Sequence, residues 1–414
     1  MKDAPVIHSL MDQDFYKFTM GQMIFHRHPK VPVEFSFINR SKSVLLGKKV
    51  DLGQLREELE HIRTLRFTPQ ELHYIMGTYE YGSPMFKFDY IDFLQTLQLP
   101  EFHLEERDGQ IELGFAGEWA KATYWENFGM SVVNELYNRQ LMRGYSSFER
   151  DKVEANGRLR LGESLDKLAK YPGITFSEFG TRRRFSRNWQ DYVVSVMKEE
   201  CPETFKGTSN TYLAQKYGLM PVGTNAHELP MVYSGIFRDS DDVDPAYSQK
   251  RMLADWDNEY GQGLSIFLPD TYGSDWFFKN CVDADMLRRW KGSRQDSGVP
   301  EEYAEARINE YRLIGVDPRT KLVIFADGLN ADRMIEIYTK VDQRMLTTFG
   351  WGTNASNNLG FKSISIVVKP TKANGYYVVK LSDNIEKATG DAEAVERAKR
   401  LVGYTNTFQE VCHS

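Results

Sequence analysis

Short apolar runs, each closed by a turn rich in small, hydroxylated or charged residues, recur through the middle of this chain. Ile174-Thr175-Phe176 leads into Phe179-Gly180-Thr181-Arg182-Arg183-Arg184, and Gly207-Thr208-Ser209-Asn210 precedes a helical pattern over Thr211 to Tyr217. Leu219 to Val222 runs into Gly223-Thr224-Asn225-Ala226-His227-Glu228, and Leu264 to Leu268 into Pro269-Asp270-Thr271. Arg294-Gln295-Asp296-Ser297-Gly298 precedes a helical pattern over Glu301 to Leu313. Leu322 to Phe325 ends at Ala326-Asp327-Gly328, before a helix over Ala331 to Val341, and Met345 to Phe349 ends at Gly350-Trp351-Gly352-Thr353-Asn354. Apolar run, turn, helix, repeated, is the signature of βα units. Buried parallel strands with helical crossovers predict an α/β barrel, whose post-strand loops gather at one face.

The first third is patterned differently. Leu10 to His28 has helical periodicity, with Phe15, Phe18, Met23 and Phe25 turned to a core, and Val31 to Ile38 alternates as a strand. Phe102 to Phe115 reads as a hairpin around Asp108-Gly109. Tyr124 to Met142 and Phe148 to Leu168 read as long connecting helices. These patterns place a smaller α/β domain at residues 1–135 and the barrel at 136–370. Strands over Ser363 to Lys369 and Tyr376 to Leu381 leave the segment 371–414 free to close the barrel or return to the first domain.

Composition narrows the class. With 414 residues and 41% apolar side chains the chain can bury a core in two domains. A formal net charge of −6 argues against a nucleic-acid partner. No apolar stretch approaches membrane-spanning length, and Asp3, Asp12 and Asp14 stand where a signal peptide would be apolar, so a cytoplasmic enzyme is expected. Cys201, Cys281 and Cys412 are too few and too scattered for a zinc site or a disulfide framework, and no metal ligand is assigned.

The turns supply the chemistry. Small residues allow close backbone approach, hydroxyls and arginines bind phosphate oxygens, and acids hold ribose hydroxyls or a cation. His227 follows a glycine turn at an expected helix start, where backbone N–H groups attract anions. Imidazole nitrogen there can accept a phosphoryl group. Together the turns describe a site for a phosphorylated sugar.

The joint occurrence of Asp14-Phe15-Tyr16-Lys17-Phe18-Thr19-Met20, Phe179-Gly180-Thr181-Arg182, Gly223-Thr224-Asn225-Ala226-His227-Glu228, Arg294-Gln295-Asp296-Ser297-Gly298, Asp327-Gly328, Gly350-Trp351-Gly352-Thr353 and Lys380-Leu381-Ser382-Asp383-Asn384 resembles nicotinate phosphoribosyltransferase along nearly the whole chain. The resemblance implies an irregular (β/α) barrel of the type II phosphoribosyltransferase kind with a smaller N-terminal α/β domain. It implies that nicotinate is joined to 5-phosphoribosyl 1-diphosphate, with ATP as co-substrate and Mg²⁺ as its companion ion. Nicotinate mononucleotide and diphosphate are the expected products, alongside ADP and phosphate.

Carried over residue by residue, the resemblance makes His227 the transient phosphohistidine, with Arg294 and Asp296 beside it in the catalytic set. It makes Tyr16 and Phe179 the aromatic walls of the pyridine site, Arg294 the partner of the nicotinate carboxylate and Thr224 a neighbour of the same ligand. Arg182, Ser297, Asp327, Gly328, Gly352 and Thr353 become contacts of the phosphoribosyl diphosphate. Glu228 is read as orienting His227, Arg183 and Arg184 as a solvated or interdomain charge pair, and His26 and His28 as residues without a catalytic role. The resemblance also allows a homodimer. Two rivals stand beside this reading: a phosphoribosyltransferase acting on nicotinamide, and a non-catalytic sensor of phosphoribosyl ligands.

Overall fold

A computed structural model of the chain describes residues 4–80, 83–238, 244–341 and 343–410. Cys412 lies outside them. Two sheets organise the fold. The first is antiparallel, in the order Tyr376–Tyr377, Ile366–Ala373, Pro32–Asn39, Gln110–Glu118, Phe102–Arg107. Its hairpin turns at Asp108 and Gly109, with φ of 52° and 77°, the left-handed backbone that a two-residue hairpin turn demands. The strand Ile366–Ala373 pairs with Pro32–Asn39 through a bulge at Glu34/Phe35, so the chain returns to its N-terminal domain.

The second sheet is parallel and holds six strands in the order Phe205–Thr208, Phe176–Glu178, Leu346–Trp351, Leu322–Phe325, Gly292–Gln295, Ile266–Phe267. They are short and largely buried, as expected of a parallel sheet covered on both faces. The expected strand over Leu219 to Val222 reduces to a single parallel bridge between Thr208 and Pro221. Proline has no N–H to extend a ladder. Among the described residues the ladder does not run from that edge back to Ile266. Side chains from the segments beyond the two edges meet instead, with His227 Nδ1 2.9 Å from Thr271 Oγ1.

Helix Trp125–Leu141 joins the two sheets and is buried from Trp125 to Asn138. A helix buried all round needs partners for its polar side chains, and here they do specific work. Ser131, Asn134 and Asn138 share a face and donate to the carbonyls of Thr181, Arg184 and Phe185 at 2.8, 2.7 and 3.0 Å. The arginine turn is thereby held from beneath. Main-core side chains come from both halves of the chain, from Val6 to Val378. A separate small cluster of Tyr272, Val379, Leu381, Ala398 and Val402 lies under the C-terminal helix Ala392–Val402. No helix among the described residues is long and apolar enough to cross a membrane.

Candidate active site

The carboxyl ends of the parallel strands and one face of the antiparallel sheet border a cavity of about 580 Å³. Its wall includes Tyr16, Phe179, Arg182, His227, Arg294, Asp296, Asp327, Gly328, Gly352 and Thr353, all singled out from the sequence. Thr224 and Ser297 are not part of that wall. The Thr224 carbonyl accepts from Thr19 Oγ1, anchoring the histidine turn to the first helix. Ser297 is buried and donates to Asp270 Oδ2 at 2.7 Å. Both halves of the chain contribute to this wall, Tyr16 and Arg40 from the first and the post-strand turns from the second.

The histidine turn is built by close approach. A Cβ at Gly223 would lie 2.8 Å from the backbone nitrogen of Tyr16, so only glycine lets the turn seat against the helix Tyr16–Arg27. Helix Glu228–Ile236 then starts directly after His227. Glu228 does not orient the imidazole. It turns into the interior, accepts from Trp119 Nε1 at 2.7 Å and pairs with Lys17 at 2.5 Å. Lys17 also pairs with Glu126 at 2.7 Å, and all three side chains are buried. Tyr16 donates to Asn127 Oδ1 at 2.9 Å, so the aromatic wall rests on the same buried polar layer.

His227 itself is almost fully buried. Its Nε2 faces Asp296 Oδ2 at 3.0 Å and the Lys380 ammonium at 2.9 Å, with Asp270 Oδ1 at 3.5 Å. Lys380 lies 3.0 Å from Asp270 Oδ2. Burial, and after it the Lys380 charge, lower the imidazole pKa to about 4. Asp270 is held down at about 2: burial opposes this most strongly, but the Lys380 charge together with the other favourable contacts, among them the Ser297 hydrogen bond, outweighs it. At neutral pH the ring is therefore neutral between two carboxylates, and a lysine supplies the positive charge. Nε2 can offer its lone pair to Lys380 or donate a hydrogen to Asp296, one at a time. His227, Asp270 and Asp296 present ligand atoms within 4.8 Å of one another, a spacing a cation can use. The ammonium of Lys380 already serves that position.

Eight of the wall side chains are Lys or Arg and three are Asp or Glu, so this acidic protein concentrates positive charge here. Such a wall suits a ligand with several phosphates. Arg182 stacks over the Tyr16 ring at 5.7 Å from its centroid and pairs with Asp14 at 3.2 Å. Arg183 also lines the cavity, donating to the Ile366 carbonyl at 3.1 Å. Arg184 is fully buried and grips Asp12 through both carboxylate oxygens at 2.6 and 2.8 Å, an interdomain pair and not a solvated one. Arg294 donates from Nη1 to the Asn225 carbonyl at 3.0 Å, while its buried Nε has no hydrogen-bond partner among the described residues.

At the other end Asp327 meets Lys387 Nζ at 2.5 Å, and Lys387 also donates to the Asp296 carbonyl at 2.7 Å. Gly328 adopts φ 60°, the left-handed backbone that turns the chain there. Asn330 follows this turn, and its Oδ1 accepts from Arg333 N at 2.8 Å as a helix cap. Sequence reasoning missed Asp270, Lys369, Lys380, Lys387 and Glu178 as site residues. Glu178 lies beneath the Phe179 turn, where its carboxylate accepts from Gly180 N and Thr208 Oγ1, both at 2.6 Å. Burial raises its pKa to about 7.

A cationic cavity at the carboxyl ends of parallel strands, with a neutral histidine on its wall, defines an α/β enzyme that handles phosphorylated ligands. Two family models match the chain. Residues 174–406 match the nicotinate phosphoribosyltransferase (NAPRTase) family, and residues 11–134 match its N-terminal domain. The chain belongs to the nicotinate phosphoribosyltransferase family. A solved nicotinate phosphoribosyltransferase from Porphyromonas gingivalis is 30% identical with a TM-score of 0.84, over 96% of this chain and 100% of that one. One from Vibrio cholerae is 29% identical with a TM-score of 0.85, over 97% of this chain and 95% of that one.

Proposed function

We propose that this protein transfers the 5-phosphoribosyl group of phosphoribosyl diphosphate to the ring nitrogen of nicotinate, and couples the transfer to ATP hydrolysis through a phosphohistidine at His227. The observation behind this reading is the neutral His227, paired to Lys380, on the same cationic wall as Tyr16, Phe179 and an Arg294 whose Nε carries no hydrogen bond among the described residues.

Nε2 of His227 attacks the γ-phosphorus of ATP, the bond to the bridging oxygen breaks, and ADP leaves. The Lys380 hydrogen that met the nitrogen lone pair then meets a phosphoryl oxygen, so a charge-assisted bond survives the transfer. Phosphorylation puts about two negative charges beside Asp270 and Asp296. That charge drives a rearrangement of the surrounding loops and tightens the site on its substrates. Later attack of water on phosphorus breaks the N–P bond, frees phosphate and resets the site.

In the synthetic step the nicotinate ring lies against Tyr16 and Phe179, and Arg294 Nε receives its carboxylate. The ring nitrogen carries its own lone pair, so positioning matters more than activation. The bond between ribose C1 and the diphosphate oxygen breaks, the N–C1 bond forms, and Arg182 with Lys369 neutralises the departing diphosphate. Lys369 suits that position, because burial lowers its pKa to about 8 and it gains from a nearby anion. Asp327, Gly328, Gly352 and Thr353 hold the ribose 5-phosphate end. The carboxylate oxygens of Asp296 and Asp327 are hard donors that fit Mg²⁺, which when bound shields phosphate charge. Comparing turnover on nicotinate and nicotinamide, with diphosphate release as the readout, tests the reading. Diphosphate released equally with both pyridines, or with neither, would refute it.

A further inference from the structure

The two lysines that complete the site come from one short irregular stretch, and that stretch is held from outside the main core. After Lys380 the backbone passes through Ser382 with φ 74°, a left-handed conformation that a serine keeps only when its surroundings impose it. The stretch then presents Lys387 to Asp327. Residues 404–410 lie along it like a second strand. Tyr404 donates its hydroxyl to the Ser382 carbonyl at 2.6 Å, and Asn406 Nδ2 donates to the Asp383 carbonyl at 2.7 Å. Ile385 N donates to the Phe408 carbonyl at 3.1 Å. Asn384 is gripped at both ends: its Nδ2 donates to the Glu410 carbonyl at 2.8 Å, and its Oδ1 accepts from Glu410 N at 3.2 Å. Phe408 and Glu410 themselves form part of the cavity wall.

The apolar support of this unit is the satellite cluster of Tyr272, Val379, Leu381, Ala398 and Val402, onto which Tyr404 packs, and not the main core. Units with small separate cores open at lower free energy than the molecule as a whole. Toward the parallel-sheet half the 382–387 loop is tied at its ends, by Ser382 N to the Thr271 carbonyl, by Asp383 to Ser274 and Ser297, and by Lys387 to Asp327 and the Asp296 carbonyl, while Asn384 and Ile385 between them bond to the 404–410 segment.

We propose that residues 404–410 are a positioning latch: by clasping the 382–387 loop they fix Lys387 against Asp327, and so set the affinity for the phosphoribosyl substrate while taking no part in bond making. The ligand half of this rests on the reading of the Asp327 end as a ribose-phosphate site. The clasp itself rests on the hydrogen bonds alone.

Two full-length variants at latch residues outside the cavity wall test it: Tyr404→Phe combined with Asn406→Ala, and Asn406→Ala alone. Amide exchange of Ile385, Lys387 and Ala388 is measured in the ligand-free proteins, and KM for phosphoribosyl diphosphate separately from kcat. The latch predicts exchange at those amides about tenfold faster in the double variant, and less so in Asn406→Ala, with exchange in the Phe176–Glu178 strand unchanged. It predicts KM for phosphoribosyl diphosphate raised about tenfold, KM for nicotinate and kcat within about twofold of the parent, in the same order of severity. Unchanged exchange at 385–388 would overturn the clasp. Faster exchange with unaltered KM, or equal losses in kcat and in both KM values, would overturn the positioning role. A parent chain that does not bind phosphoribosyl diphosphate would overturn the substrate reading and the ligand half with it, leaving the exchange result to decide the clasp.

Discussion

Replacing Lys380 with methionine removes the one cation in contact with the His227 nitrogen and keeps the volume of the side-chain stem. The ammonium lies 2.9 Å from Nε2 and 3.0 Å from Asp270. At an effective dielectric constant of about 20, a unit charge at that distance opposes ring protonation by about 6 kcal/mol, an upper figure. The separation between the parent's pKa of about 4 and the ordinary 6.5 corresponds to only about 3 kcal/mol. Loss of the lysine therefore raises the pKa of the ring from about 4 toward the ordinary value, because Asp270 and Asp296 remain to favour the imidazolium while burial, the largest lowering cause, still opposes it. The effect on stability shrinks with the shift. In the parent the folded-state pKa lies below the unfolded one, so the contribution of His227 is fully present above pH 6.5 and is lost as pH falls through about 4. In Lys380→Met the folded value moves closer to the unfolded one, so the contribution above pH 6.5 is smaller and its loss begins at a higher pH than in the parent. Proton NMR of the His227 ring and melting temperatures between pH 5 and 8 read both effects. Protonation also removes the nucleophilic lone pair, so autophosphorylation of the variant should begin to fall at a higher pH than in the parent. A His227 resonance that still titrates near pH 4 in Lys380→Met would refute the electrostatic account.

Other substitutions test separate parts of the site. Asp12→Asn leaves the buried Arg184 without its bidentate partner and should cost about 3–5 kcal/mol, seen as a large drop in melting temperature. Arg294→Gln should lower kcat/KM for nicotinate roughly 10- to 100-fold, the worth of a charge-assisted hydrogen bond, while any slow turnover of nicotinamide stays unchanged. Gly223→Ala forces a Cβ toward the Tyr16 backbone and should cost about 1–3 kcal/mol of stability, with a raised KM for nicotinate in steady-state assays.

Elements whose signals are local were legible from the chain. The helix Thr211–Tyr217 is bounded by Asn210, whose side chain accepts from Leu213 N, and by Gly218 at φ 61°, and both ends could be read in advance. Ala331–Val341 and the long helix Ser147–Leu168 follow from periodicity in the same way. The wall residues carried on post-strand turns were legible for a related reason: the βα rhythm places those turns at one face. What escaped was made by distance. Lys380 meets His227 across 153 positions, from a stretch without regular periodicity, although it opens the Lys380-Leu381-Ser382-Asp383-Asn384 motif that carried part of the family resemblance. Adjacency misled at Glu228, because a residue next to a catalytic group on a new helix points elsewhere, here to Lys17 and Trp119. The destination of Ile366–Ala373 depended on sheet register against Pro32–Asn39, which no single segment encodes.

The central claim is that His227 carries a phosphoryl group during turnover. Incubation with ATP labelled in its γ-phosphate, of the parent and of His227→Ala, tests it most directly. The account predicts a protein-bound label that is labile in acid, stable in base, absent from His227→Ala, and discharged when nicotinate and phosphoribosyl diphosphate are added together. An unlabelled parent, or a label that persists in His227→Ala, would contradict it.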